Sequence, residues 1–79
     1  MFNQVILIGD VDEIYATKID MNVNGEIIPV EMTEDMISKL LLNNQIGIKG
    51  YIKISNNGIP NIICNELTIL DRRGKKNGN

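Results

Sequence analysis

The chain has no histidine and no tryptophan, one cysteine, two prolines and three aromatic residues, Phe2, Tyr15 and Tyr51. Each shortage excludes something. Without histidine, the commonest general base and the commonest metal ligand are both gone. A lone thiol, Cys64, cannot close an internal disulfide, so a reducing, cytoplasmic setting is expected. As a small apolar side chain it belongs in the core. No apolar run approaches the roughly 18–20 residues of a membrane span. The N-terminus lacks the basic region of a signal peptide, and its apolar run at 5–8 stops at Gly9 and Asp10. The carboxylates show no metal-ligand or acid–base spacing. The chain is therefore read as a binding protein, with no catalytic residue, metal or cofactor expected.

What is present is one small domain of 79 residues. At that size a single core supplies only a few kcal/mol, and self-association is a common supplement. Residues 1–71 hold all ten carboxylates and four lysines (Lys18, Lys39, Lys49, Lys53), a net charge of −6. Residues 72–79 (RRGKKNGN) carry +4 and no apolar side chain. They read as a basic, disordered tail on a domain spanning 1–71.

Periodicity orders the domain as three strands, a helix and two strands. The VILI run near the start is apolar without interruption, which implies a strand covered on both faces, in a barrel or against a partner subunit. From Tyr15 to Val23 the pattern alternates, with Thr17, Ile19, Met21 and Val23 on one face and Tyr15 in phase with them at the core rim. Asn24-Gly25 is a hairpin signal, since a type I′ turn needs positive φ at both central residues. A two-residue loop there pairs Val23 with Glu26, Met21 with Ile28, Ile19 with Val30 and Thr17 with Met32. Apolar residues then meet apolar residues across the hairpin.

Thr33 caps an expected helix whose apolar stripe is Met36, Ile37, Leu40 and Leu41, with Glu34 and Asp35 in its first turn and Asn43-Asn44 at its end. In the fourth strand Ile46, Ile48, Ile52 and Ile54 face inward, with Gly50 in phase as the site of a bend or bulge. Asn56-Asn57-Gly58 turns the chain through a loop of two or three residues into the last strand, where Pro60 marks a beginning or an edge.

Five strands with a helix after the third is the order of the OB fold. The segment MFNQVILIG at the start, IGIKGYI at 46–52 and IICNELTILD at 62–71 together resemble the first, fourth and fifth strands of bacterial single-stranded-DNA-binding proteins. The same pattern fits the primosomal OB proteins. The resemblance implies an all-β protein with a small α component, a five-stranded OB barrel with one short helix between strands 3 and 4. It also implies binding of single-stranded nucleic acid, DNA foremost, and a place in DNA replication or recombination. The sequence departs from that family in having few aromatics, a two-residue turn where the family has a long clamp loop, and a basic rather than acidic C-terminal tip.

Polyanion binding runs on phosphate neutralisation and base stacking. The candidate set is Lys49, Tyr51 and Lys53, an outward row on strand four, with Lys18 and the tail cations Arg72, Arg73, Lys75 and Lys76. The row equally fits a solvated strand face, and Lys18 faces Glu31 in the hairpin register, where an ion pair is the expectation. Three roles remain open on sequence. One is a minimal single-stranded-DNA-binding accessory, forming a homodimer or higher homo-oligomer. The others are an interaction module whose acidic body docks on a replication or recombination protein, and a structural dimer built through the VILI strand.

Overall fold

The computed structural model describes residues 3–71. The order is β1 (Val5–Ile14), β2 (Lys18–Val23), β3 (Glu26–Glu31), α1 (Glu34–Ile37), β4 (Gln45–Ile54) and β5 (Pro60–Asp71). The strands close into one barrel in the sequence β1-β2-β3-β5-β4, with β3 and β5 parallel and the other neighbours antiparallel. Met1, Phe2 and the basic segment 72–79, with its four candidate cations, lie outside the described residues.

The hairpin at Asn24-Gly25 has the expected register: Val23 opposite Glu26, Met21 opposite Ile28 and Ile19 opposite Val30. Asn24 (φ 56°) and Gly25 (φ 88°) both take the positive φ that this turn demands. One step beyond the strands, the Met32 N–H donates to the Thr17 carbonyl at 3.1 Å. The interior is built from Val11, Ile19, Met21, Val30, Ile46 and Ile48, all essentially inaccessible, with Met32, Leu40 and Cys64 closing the ends.

Several expectations change. β1 is not covered on both faces: Leu7 packs against the core, whereas Ile6 and Ile8 are 63% and 58% exposed on the outer surface. The unbroken VILI run is thus an ordinary alternating strand with apolar residues left outside. The helix is a single turn. Thr33 caps it through Oγ1, which accepts from the Met36 N–H at 3.2 Å, but the chain leaves the helix after Ile37. Leu40 reaches the core from the following turn and Leu41 faces solvent. Four residues fall far short of a self-supporting helix, so packing rather than propensity holds this turn. Tyr15 precedes β2 and lies on the outer surface, 45% exposed, rather than at the core rim.

The bulge expected at Gly50 is present, but the extra residue sits in the partner strand. Lys49 pairs with Glu66 and Gly50 with Cys64, leaving Asn65 unpaired between them. A Cβ on Gly50 would run into the Ile63 carbonyl, so the bulge and the glycine are one device. Beyond this point β4 outruns the barrel: Ile52 and Ile54 keep the inward phase but are 40% and 61% exposed. The Asn3 side chain stands in for a strand neighbour there, accepting from the Ile52 N–H at 2.7 Å and donating to its carbonyl at 3.3 Å. Ser55 N–H donates to the Ile59 carbonyl at 3.0 Å, so the β4–β5 loop has the three-residue form, 56–58, with Gly58 at φ 82°. Pro60 is the first residue of its strand, where its missing N–H costs least.

Candidate nucleic-acid interface

Alternation places Lys49, Tyr51 and Lys53 on the outer face of β4, at steps of about 7 Å. Their surroundings differ. Lys49 Nζ lies 3.7 Å from Glu66 Oε1, its register partner on β5, and is partly neutralised there. Tyr51 is half-buried opposite Ile63, and Lys53 is exposed opposite Asn61, beside the β4–β5 loop.

Lys18 belongs with the far end of this row. It pairs with Glu31, Glu31 pairs with Ile63, and Ile63 pairs with Tyr51. The outward residues Lys18, Glu31, Ile63 and Tyr51 therefore form one transverse row across β2, β3, β5 and β4, roughly 14 Å or three strand spacings wide. Lys53 and Asn61 make the next row beside it. The expected Lys18–Glu31 ion pair does not form. The Lys18 ammonium instead sits 5.0 Å from the centroid of the Tyr15 ring, a cation–π contact. The Tyr15 hydroxyl donates to Asp20 Oδ2 at 3.4 Å, and that neighbouring carboxylate is the main cause holding the phenol pKa above its ordinary value.

Two open hollows flank the row and share Glu31 and Ile63 as their common wall. One, of about 310 Å³, is edged by Lys53, Ser55, Asn56 and Asn61. The other, of about 250 Å³, is floored by Met32 and Cys64 and edged by Thr17 and Thr33. Strand pairing that crosses from β3 to β5 creates this surface, and only the Lys18–Glu31 step of it was readable from the hairpin.

The rest of the outer surface sorts by chemistry. Asp10, Asp12, Glu13 and Asp20 line the β1–β2 side, where Glu13 lies directly opposite Asp20. On the β1–β4–β5 side, Ile6, Ile8 and Leu70 surround Gly47 in an apolar hollow of about 220 Å³, with Lys49 and Glu66 at its rim. Cys64 is buried, and its Sγ donates to the Glu66 carbonyl at 3.2 Å. Burial is the main cause pushing its thiol pKa up, and the thiol is not primed as a nucleophile. Among the described residues no group of three or more Asp, Glu or Cys side chains is placed to hold a metal ion, and no helix is long and apolar enough to cross a membrane.

Neither a protein-family model nor a curated protein matches the sequence. Solved structures do match the fold. The mitochondrial single-stranded DNA binding protein Rim1 of S. cerevisiae superposes with a TM-score of 0.71 at 6% identity, over 90% of this chain and 96% of that one. OBody NL8, bound to hen egg-white lysozyme, gives 0.67 at 19% identity over 89% and 96%. A chain of the S. pombe Stn1–Ten1 complex gives 0.65 at 15% over 87% and 59%. At such identities the likeness is one of fold: the chain is an OB-fold barrel. Of the transverse row, Lys18 and Glu31 lie on β2 and β3, and Ile63 and Tyr51 on β5 and β4.

Proposed function

We propose that the protein binds single-stranded nucleic acid, DNA foremost, as a minimal OB-fold accessory in replication or recombination. The observation that carries this reading is the transverse row: Lys18, Glu31, Ile63 and Tyr51 in register across four strands, with Lys53 in the next row beside the β4–β5 loop. It begins on the β2–β3 face, which together with that loop is where OB folds take oligonucleotides. Tyr51 offers a stacking platform, Lys18 and Lys53 take phosphates, and Lys49 does so only by giving up Glu66. Arg72, Arg73, Lys75 and Lys76, which follow β5 in the sequence, add sequence-independent phosphate contacts. The fold of Rim1, described as a single-stranded DNA binding protein, supports the reading. The −6 charge of residues 1–71 and the small number of aromatics make the affinity modest. The mechanism is binding without a bond-breaking step.

The test is fluorescence anisotropy with a labelled single-stranded oligonucleotide across a salt series, on the full chain and on a chain ending at residue 71. Binding that weakens steeply with salt, and weakens again on truncation, supports the reading. Absence of binding at low salt, where attraction to phosphate is strongest, rejects it.

A second reading is favoured by the apolar hollow around Gly47. Ile6, Ile8 and Leu70 together form a contiguous exposed apolar surface, of the kind that marks protein contact. On this reading the barrel docks on a protein, either a second copy in a cytoplasmic homodimer or a basic replication protein. OBody NL8, bound to lysozyme, shares the fold.

A further inference from the structure

Glu31 stands where a phosphate-binding face tolerates it least. It is exposed, it lies in the middle of the transverse row, and it walls both hollows. Its strand neighbour Lys18 is turned over Tyr15, and Lys53 lies across the first hollow. Among the described residues no hydrogen bond or ion pair within 4.0 Å engages its carboxylate. An ionised carboxylate only accepts hydrogen bonds, and it repels phosphate oxygens. A strand whose phosphates are drawn to Lys18 and Lys53 passes over Glu31, and any base edge that meets the carboxylate must donate. Cytosine offers its N4 amino group, whereas thymine offers the O4 acceptor at the equivalent position. Thymine's one ring N–H is flanked by two carbonyl oxygens, both facing any carboxylate that approaches it.

We propose that Glu31 is a base-reading residue. It selects bases that carry an exocyclic amino group, cytosine over thymine, in a single strand laid across the two hollows. The inference rests on the nucleic-acid-binding reading above and adds a specificity that backbone contacts alone do not supply. The ridge shared by Glu31 and Ile63 divides the face into a hollow of mixed lining, with Lys53 and Ile54, and a more apolar one, with Met32 and Cys64, so successive bases lie on either side of the reading carboxylate. Ile63 supplies the apolar half of that ridge and Glu31 the only acid on it.

The experiment compares labelled oligo-dC and oligo-dT of equal length, at low salt, on the wild type and on Glu31→Gln. The two oligonucleotides carry the same charge, so counterion release cancels in their ratio. The wild type is expected to bind oligo-dC about five-fold tighter, the low end of the discrimination given by a specific base contact. Glu31→Gln removes one repulsive charge and replaces an acceptor by a group that both donates and accepts. Both oligonucleotides should then bind more tightly, and with equal affinity. If the wild type binds both equally, Glu31 is not a base reader, while the nucleic-acid reading stands. If Glu31→Gln keeps the full preference for oligo-dC, the preference lies elsewhere and the inference falls. If neither oligonucleotide binds, both readings fall together.

Discussion

The side-chain Nδ2 of Asn44 donates to the backbone carbonyl of Asp71 at 3.1 Å, joining two residues 27 positions apart. The same side chain accepts from the Leu41 N–H at 2.8 Å through Oδ1, and its own carbonyl accepts from Val11 N–H at 2.9 Å. Asn44 is 2% exposed and is the buried polar side chain that ties the loop after α1 to both β1 and the end of β5. Replacing it with leucine removes two part-buried hydrogen bonds, to the Leu41 N–H and the Asp71 carbonyl, each worth about 0.5–1.5 kcal/mol. Asn44→Leu is expected to lower the unfolding free energy by about 1–3 kcal/mol in a urea titration.

Gly50 and Gly47 lie three residues apart on β4, and their substitutions should part company. A Cβ on Gly50 overlaps the Ile63 carbonyl and approaches the Cys64 Cα to 3.1 Å, both backbone and unable to yield cheaply. Gly50→Ala should cost about 1–3 kcal/mol or more. At Gly47 the nearest atoms, in Ile8 and Leu70, stand at 3.8 Å, an ordinary contact. Gly47→Ala should be neutral or slightly stabilising, because alanine loses less backbone entropy on folding. Paired denaturation curves decide both.

On the proposed interface, Tyr51→Ala should weaken single-stranded DNA binding by about 1–3 kcal/mol, the range for losing a stacked base. Lys53→Ala should flatten the dependence of log K on log salt by about 0.7, one single-strand phosphate contact. Lys49→Ala should flatten it less, because its ammonium already lies against Glu66. Equal slopes for the two lysine variants would refute the distinction.

The outer apolar surface gives a separate prediction. If Ile6, Ile8 and Leu70 pack against a second copy, light scattering will show a mass that rises with concentration. Ile8→Lys, at a site 58% exposed in the isolated barrel, should then return the monomer without lowering its stability. A mass independent of concentration removes the homodimer.

Cys64 yields the pH prediction. Its thiol pKa is raised, chiefly by burial, so the folded protein holds the proton at pH values where the unfolded chain has begun to release it. The sign follows: this contribution to stability is complete below the ordinary thiol pKa and is lost as pH rises through the folded value. At pH 8 the native thiol should react with a disulfide reagent far more slowly than the denatured one, and Cys64→Ala should show a shallower alkaline loss of stability.

Local patterns carried much of the fold. The Asn24-Gly25 register was legible because a two-residue turn and an alternating apolar face permit a single solution. The Thr33 cap was legible too, since one hydroxyl and one N–H three residues on suffice. The helix length was not, because Leu40 is buried from a turn as well as it would be from a helix. The exposure of Ile6 and Ile8 was also hidden. An unbroken apolar run reads as two covered faces, whether or not anything covers the second.

The sequence by itself determined the register of the β2–β3 hairpin, where the chain turns, and that an OB order of strands with an acidic body and few aromatics would result. Those properties depend on neighbours a few positions away, within reach of steric and turn rules. Tertiary structure alone decided that Lys18 and Tyr51 share a row, because the link between them runs through the parallel pairing of β3 with β5. It also decided that Lys49 Nζ lies 3.7 Å from Glu66 Oε1, and that Glu31, without an ion pair among the described residues, stands between two hollows. The β3–β5 pairing that closes the barrel joins residues 32 positions apart, such as Glu31 and Ile63, and no periodicity along the chain encodes that.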